Sequence, residues 1–138
     1  MNDSYINVKN QITQAGSWQE KYREIMTLGK ELPVLPQELK VDSAIVDGCE
    51  SNVWLYINFN NEERKLLIAA DSDTRIVKGL LSIILYLYSD LTPNQILLID
   101  ANKEFEEMAL LKHLSPSRGN GIKAILNEIN RKAYLMNK

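Results

Sequence analysis

The stretch from Ile76 to Leu87 constrains the fold of this chain more than any other. It follows Asp71-Ser72-Asp73, whose side chains suit the amino-terminal cap of a helix. A helix that is apolar on nearly every face must be buried on most sides. We therefore expect a central core helix with the rest of the chain packed around it. Its apolar positions are Ile76, Val77, Leu80, Leu81, Ile83, Ile84, Leu85 and Leu87.

Two strands are predicted before the core helix. Apolar side chains occupy every second position from 53 to 59, the period-two pattern of a strand, at Val53, Leu55, Ile57 and Phe59. Turn residues follow at 60–63, and positions 66–70 return as a second apolar run. The two strands form a hairpin, so the sheet is at least partly antiparallel.

Helices are predicted ahead of the hairpin. A weak helix covers about 5–15, and Ser17 with Glu20 gives a capping-box signal for a second helix. Gly29 stands where the carboxyl-terminal cap of that helix would lie. The prolines that follow predict an extended surface connector from Glu31 to about Ser43.

Further helices follow the core helix. A short one opens at Thr92-Pro93, another has its apolar face around Phe105, and the last starts at Ser115-Pro116. The last helix has one apolar stripe, made of Ile122, Ile125, Ile129 and Ala133. The order of helices, small sheet and helices predicts an α+β fold, with a small, mostly antiparallel sheet packed against helices.

Composition narrows the class of protein. With 138 residues, 45% hydrophobic and 25% charged, we expect one globular domain over residues 1–138. The net charge is -2 and no basic face is evident, which argues against a nucleic-acid partner. The apolar run from Gly79 to Tyr88 is shorter than the roughly 20 residues that cross a bilayer, so no membrane role is expected. One cysteine and a first segment unlike a signal peptide favour the cytoplasm.

Gly79 is an anomaly inside the core helix. A glycine in a helix interior costs about 1 kcal/mol relative to alanine. We expect another backbone to approach it closely, with the loop that carries Cys49 as one candidate. A glycine that is simply tolerated is the alternative.

The only cysteine, Cys49, lies on a polar turn just before the first strand. Gly48 precedes it and lets the chain bend sharply, while Asp47 and Glu50 flank the pair. A lone cysteine is often a small buried hydrophobe, but this polar neighbourhood suits a loop tip better. Apolar residues on both sides of the tip are expected to form a pocket beneath it: Ile45, Val46, Val53 and Trp54.

The chemistry open to Cys49 depends on its neighbours. A cysteine hydrolase needs a histidine base, and the only histidine is His113, which is equally typical of a cap or a surface imidazole. One cysteine and one histidine do not make a closed zinc or iron–sulfur site. The carboxylates of Asp47 and Glu50 would disfavour a thiolate if they lie close to the sulfur. This pattern favours a thiol that receives a group from another protein over one that attacks a substrate unaided.

Short blocks of residues from about Trp18 to the last helix form a recognisable pattern. The first half of the chain contributes Trp18-Gln19-Glu20-Lys21-Tyr22, Leu28-Gly29, Leu32-Pro33, Val46, Gly48-Cys49, Ser51 and Val53-Trp54. The second half contributes Asp71-Ser72-Asp73, Ile76-Val77-Lys78-Gly79-Leu80, Leu91-Thr92-Pro93, Phe105, Met108, Leu111, His113-Leu114-Ser115-Pro116-Ser117-Arg118 and Gly121. In the order and spacing of these blocks the chain resembles the SufE family of sulfur-acceptor proteins, which includes CsdE.

The resemblance implies a fold like that of the iron–sulfur scaffold IscU and a function as a sulfur carrier, not an enzyme. Cys49 would accept persulfide sulfur from a cysteine desulfurase similar to SufS or CsdA and stimulate it. The pyridoxal phosphate belongs to that partner, and no cofactor is implied for this chain. The sulfur would pass to a scaffold complex similar to SufBCD, or to another acceptor, for iron–sulfur cluster assembly.

The resemblance also implies roles for the neighbours of Cys49. Arg118 matches the arginine of the family's Ser-Arg pair near the partner-facing surface; a cation in the first turn of the last helix, without a partner role, is the alternative. Gly48, Glu50 and Asp73 would also face the partner, although capping alone accounts for Asp71 and Asp73. Glu50 is more similar to the CsdE branch, and the segment 113–118 is more similar to SufE itself, so both branches stay open. A cysteine hydrolase or transferase that uses Cys49 with His113 is the alternative function.

Overall fold

The computed structural model describes residues 2–48 and 51–137; Cys49 and Glu50 lie outside the described residues. The described part of the chain contains six α-helices and one two-stranded antiparallel sheet, which is an α+β fold as predicted. The helices are α1 (Asp3–Gln14), α2 (Trp18–Gly29), α3 (Arg75–Tyr88), α4 (Pro93–Leu97), α5 (Ala101–Glu107) and α6 (Pro116–Met136). The strands are β1 (Val53–Asn60) and β2 (Lys65–Ser72).

The core helix is confirmed as α3. Ten of its residues are buried, among them Leu80, Ile83 and Leu87, none of which has exposed surface. It packs against α2, β2 and α1, so it is covered on several sides. Burial on this scale is what an apolar helix requires, because the hydrophobic effect stabilises the fold by about 25 cal/mol for each Å² of apolar surface removed from water.

The hairpin has a regular register that sets which residues face the core. Val53 lies opposite Ser72, and Asn60 lies opposite Lys65. Because side chains alternate across a sheet, Val53, Leu55, Ile57 and Phe59 share the inner face. Trp54 and Tyr56 share the outer face with their cross-strand partners Asp71 and Ala69.

The predicted helix ends are confirmed in part. Ser17 accepts a hydrogen bond from the Glu20 N–H at 3.2 Å, but the Glu20 carboxylate bonds to the Gly16 N–H instead of closing a capping box. Thr92 and Gln95 form the complete box at the start of α4. Ser115 caps α6, whose predicted apolar stripe is buried throughout.

Two predictions about local structure are wrong. Gly29 is the last residue of α2 and not its cap, because Lys30 takes the capping position in a helical conformation. The connector from Glu31 to Ser43 is not fully extended, since it makes two short 3-10 turns at Gln37–Leu39 and Asp42–Ala44. Both turns follow the prolines, which exclude an α-helix but permit a single tight turn.

A polar cluster joins the first helix to α5. The Tyr5 hydroxyl donates a hydrogen bond of 2.8 Å to Glu104, and the Lys9 ammonium lies 3.0 Å from the same oxygen. Tyr5 has no exposed surface and Glu104 is 8% exposed. A buried carboxylate is costly unless it is paired, so the phenol and the ammonium together allow Glu104 to lie at this interface.

Candidate functional site around the cysteine loop

The segment before Cys49 and the segment after it both contact the start of β1. Before the loop, Ile45 forms an isolated antiparallel bridge with Trp54, and the Val46 N–H donates to the Val53 carbonyl at 3.0 Å. After the loop, the chain enters β1 at Val53, which is 1% exposed. We call 45–48 the incoming stem and 51–52 the outgoing stem. The two stems bracket Cys49 and Glu50 within a few residues.

Gly48 has the backbone conformation that its place before the cysteine predicts. Its φ is 90°, in the left-handed region that residues with a Cβ rarely adopt. It also lies against α6, since a Cβ at this position would be 3.9 Å from the Cβ of Ala124. A side chain here would therefore be strained by the backbone angle, not by lack of space.

The outgoing stem is bonded to the junction between β2 and α3. The Thr74 hydroxyl donates a hydrogen bond of 2.7 Å to the Ser51 hydroxyl, and the Asn52 side-chain amide donates one of 3.0 Å to Asp73. The Ser72 hydroxyl donates to the Asn52 carbonyl at 2.8 Å. These bonds hold both residues of the outgoing stem on the junction.

The prediction that Asp71, Ser72 and Asp73 cap the core helix is wrong. Asp71 and Ser72 belong to β2, and Thr74 is the residue before α3, without a side-chain capping bond. Asp71 is instead a buried carboxylate between two lysines, and Asp73 is an exposed acceptor for Asn52. The hairpin is longer than its apolar run suggests because Asp71 is buried by ion pairing, a tertiary effect that sequence periodicity does not record.

Arg118 lies beside the outgoing stem, in the first turn of α6. Its backbone N–H donates to the capping Ser115 hydroxyl at 3.3 Å. Its side chain helps to line a small cavity of about 10 Å³ whose other walls are Ser51, Val53, Val77, Gly121, Ile122 and Ile125. Among the described residues, its Nε atom is buried and has no hydrogen-bond partner. The fold thus brings Arg118, Asp73 and Gly48, which are far apart in sequence, to the surroundings of one loop.

The apolar residues predicted beneath the loop divide between two cavities. Val53 lines the small cavity next to Arg118. Ile45 and Val46 line an open groove of about 500 Å³ between the incoming stem, β1 and α6, with Glu128 and Lys132 at its charged rim. Trp54 lines neither; it faces the Lys40 ammonium, which is 5.5 Å from its ring centroid.

His113 is exposed and stacks on an aromatic side chain. Its ring centroid is 4.5 Å from that of Trp18, with an angle of 21° between the ring planes. The prediction of a surface imidazole is confirmed by this exposure. The stacking partner, 95 positions away, could not be found from local sequence. In the part of the chain that the structure describes, no three histidine or carboxylate side chains converge as metal ligands would.

Fold and site together define a class: a small α+β protein in which the residues on both sides of its one cysteine are fastened to a buried core of helices and a hairpin. A family model described as "SufE: Fe-S metabolism associated domain" matches residues 6–133. The chain belongs to the SufE family, and this membership assigns it to iron–sulfur metabolism.

A solved structure supports the fold. The chain is similar to the solution structure of a hypothetical protein from Thermus thermophilus, with a TM-score of 0.77 and 11% sequence identity. The match covers 96% of this chain and 95% of that one. At this identity the likeness shows the fold alone. Within residues 2–48 and 51–137, none of the helices has the length and apolar character needed to traverse a bilayer.

Proposed function

We propose that this chain is a sulfur carrier that accepts sulfane sulfur on Cys49 from the persulfide of a cysteine desulfurase and stimulates that enzyme. Membership of a family associated with iron–sulfur metabolism is the observation that carries the proposal. The geometry of the stems supports it, because the residues on both sides of Cys49 are fastened to the core and so limit where the thiol can be presented.

The transfer itself needs no external oxidant. The Cys49 thiolate attacks the terminal sulfur of the donor persulfide, a new S–S bond forms at Cys49, and the donor S–S bond breaks. The donor cysteine leaves as a thiolate and takes up the proton that Cys49 released. One S–S bond replaces another, so the total oxidation state of the pair is unchanged.

Neighbouring residues have distinct parts in the proposal. Arg118 adds a guanidinium beside the outgoing stem, where a cation favours the anionic forms of thiol and persulfide. Gly48 provides the φ of 90° that lets the loop turn towards a partner. Asp73 lies exposed at the loop base, and with Glu50 it would face the partner.

The proposal also defines the partners. The donor is a pyridoxal-phosphate-dependent desulfurase similar to SufS or CsdA, and this chain binds no cofactor of its own. The recipient is an iron–sulfur scaffold complex similar to SufBCD, or another acceptor, in the cytoplasm. The chain acts by contact and sulfur relay and turns over no substrate alone.

The test measures desulfurase activity with and without this protein. Sulfide release from cysteine in the presence of a reductant should rise when the wild-type protein is added. Cys49→Ser keeps the size of the side chain but cannot hold a persulfide, so it should still bind the desulfurase and should not stimulate it. Full stimulation by Cys49→Ser would contradict the acceptor role.

A further inference from the structure

Asp71 is a buried carboxylate whose charge is balanced by two lysines from different parts of the chain. It is 3% exposed and lies opposite Trp54 on the outer face of the hairpin. One of its oxygens is 3.3 Å from the Lys40 ammonium, and the other is 3.3 Å from the Lys78 ammonium. The second oxygen also accepts the Ser72 N–H at 2.8 Å. Such a carboxylate has to keep at least one cation, because an unpaired buried charge is strongly destabilising.

The two lysines come from different parts of the fold and so join different segments to Asp71. Lys78 belongs to α3, the buried core helix, so its position is fixed by the core. Lys40 belongs to the connector, nine positions before Cys49, and it precedes the segment that becomes the incoming stem. Lys40 therefore links the approach to the cysteine loop to the sheet, whereas Lys78 links two parts of the core.

Other contacts hold the connector at the same point. The Lys40 ammonium lies 5.5 Å from the centroid of the Trp54 ring, within the range of a cation–π interaction. The Tyr56 hydroxyl donates a hydrogen bond of 2.7 Å to the Leu39 carbonyl. Between this point and the bridge of Ile45 with Trp54, the chain makes only the tight 3-10 turn Asp42–Ala44. Only residues 41–44 separate Lys40 from the incoming stem, so a movement of Lys40 would reach the stem over a short segment.

The contact between Lys40 and Asp71 can break without leaving Asp71 unpaired. If Lys40 leaves, Asp71 keeps Lys78 and the Ser72 N–H, so no buried charge is left unpaired. Loss of the Lys40–Asp71 pair would thus leave the core intact. A side chain that only balanced a buried charge would not need a second cation from a surface connector.

From this geometry we infer that Lys40, held by Asp71 and Trp54, is a positioning residue for the cysteine loop, and that its release from Asp71 lets the approach to the incoming stem move when the sulfur donor docks. The inference rests on the proposed function of Cys49 as a sulfur acceptor. It assigns a conformational role to Lys40 and Asp71, neither of which contacts the reacting atoms.

The first experiment compares the two lysines in the protein alone. Lys40→Met and Lys78→Met each remove one cation from Asp71 and keep an apolar side chain of similar length. Lys65→Met is the matched control, since it breaks the 2.7 Å ion pair between Lys65 at the start of β2 and the exposed Asp90 after α3. The readout is the alkylation rate of Cys49 by neutral iodoacetamide at about pH 8, where lysine is charged, divided for each variant by its own thiolate fraction so that a change in the thiol pKa does not enter.

Lys40→Met should raise this corrected rate about fivefold, a population shift that corresponds to about 1 kcal/mol. Lys78→Met and Lys65→Met should leave it close to the wild-type rate, and Lys40→Arg, which keeps the charge, should restore it. An unchanged rate in Lys40→Met, or an equal rise in Lys78→Met, would overturn the inference. If Lys40→Met does not fold, Lys40→Gln replaces it under the same criteria.

The second experiment separates this inference from the proposed function. With a desulfurase and cysteine, Lys40→Met should change the concentration of carrier that gives half-maximal stimulation more than the maximal rate. If the wild-type protein accepts no sulfur while the alkylation pattern is as predicted, the proposed function fails and the positioning role of Lys40 stands. If sulfur is accepted and the alkylation pattern is absent, the positioning role fails alone.

Discussion

Gly79 of the core helix lies directly against the backbone of Ile25 in α2. A Cβ built on Gly79 would overlap the Ile25 carbonyl oxygen and would lie 2.8 Å from the carbonyl carbon. At the same crossing, a Cβ on Gly29 would be 3.0 Å from the Gly79 nitrogen. The expected close approach at Gly79 is confirmed, but its partner is α2 and not the loop that carries Cys49. Two glycines thus let α2 and α3 pack more closely than side chains would allow.

Gly79→Ala should therefore destabilise the protein, although alanine is the better helix former. We expect a loss of about 1–3 kcal/mol in the free energy of unfolding, because α2 has to move away from α3. Urea unfolding followed by circular dichroism measures it.

Gly119→Ala is the matched control for this prediction. Gly119 is also helical, but apart from its chain neighbours and the adjacent backbone of its own helix no atom lies within 4 Å of the position its Cβ would take. This variant should be neutral or more stable by up to about 1 kcal/mol. A Gly79→Ala protein as stable as the wild type would show that the helices do not depend on the close contact.

The sequence predicted those parts of the fold that depend on local pattern. Periodicity identified the hairpin and α3, and side-chain chemistry identified the caps at Ser17, Thr92 and Ser115. The roles of Gly29 and Asp71 were missed because a tertiary contact decides each of them: a helix crossing for Gly29 and two distant lysines for Asp71. The carboxylate of an aspartate suits a helix cap and a buried ion pair equally well, and the sequence around Asp71 does not show which of the two it makes.

The sequence pointed to Gly48, Asp73 and Arg118, which the structure places around one loop; their roles towards a partner stay predictions. The bonds that hold this loop were not predicted. Its fastening by Ser51 with Thr74, and by Lys40 with Asp71, joins positions more than 20 residues apart, and no repeat or spacing marks such pairs. Cys49 and Glu50 lie outside the described residues, so their predicted roles stay predictions.

The bond between Thr74 and Ser51 predicts how firmly the outgoing stem is held. Thr74→Val keeps the shape of the side chain but removes the hydroxyl that donates to Ser51 at 2.7 Å. We expect faster amide hydrogen exchange at Asn52 and Val53 with little change in global stability, since one such bond contributes about 1 kcal/mol. Thr27→Val removes a hydroxyl that bonds to Arg23 within α2 and serves as the control. Equal exchange in both variants would contradict the fastening.

The buried tyrosines predict a loss of stability at alkaline pH. Burial raises the pKa of the Tyr5 phenol, and the hydrogen bond and charge of Glu104 raise it further; burial also raises the pKa of Tyr88. Both pKa values exceed that of an unfolded tyrosine, about 10, so the stabilisation is complete below that pH and is lost as the pH rises above it. Urea unfolding between about pH 9 and pH 11 should show the decline, and Tyr5→Phe should make it shallower. A slope that does not depend on Tyr5 would contradict this assignment.

His113 separates the sulfur carrier from a cysteine hydrolase. Its described contact is the stack on Trp18, so His113→Ala should change the tryptophan fluorescence and leave sulfur acceptance by Cys49 intact. A hydrolase that relies on His113 to form the thiolate would lose its activity in this variant, typically by a factor of at least about 100. Loss of sulfur acceptance in a folded His113→Ala protein would favour the hydrolase.

The most direct test of the sulfur carrier is the intact mass of the protein after incubation with a cysteine desulfurase and cysteine. The account predicts a gain of one sulfur atom that maps to the peptide containing Cys49, disappears when a thiol reductant is added, and is absent in Cys49→Ser. An unchanged mass, with a desulfurase that is active and binds the protein, would contradict the assignment of Cys49 as a sulfur acceptor.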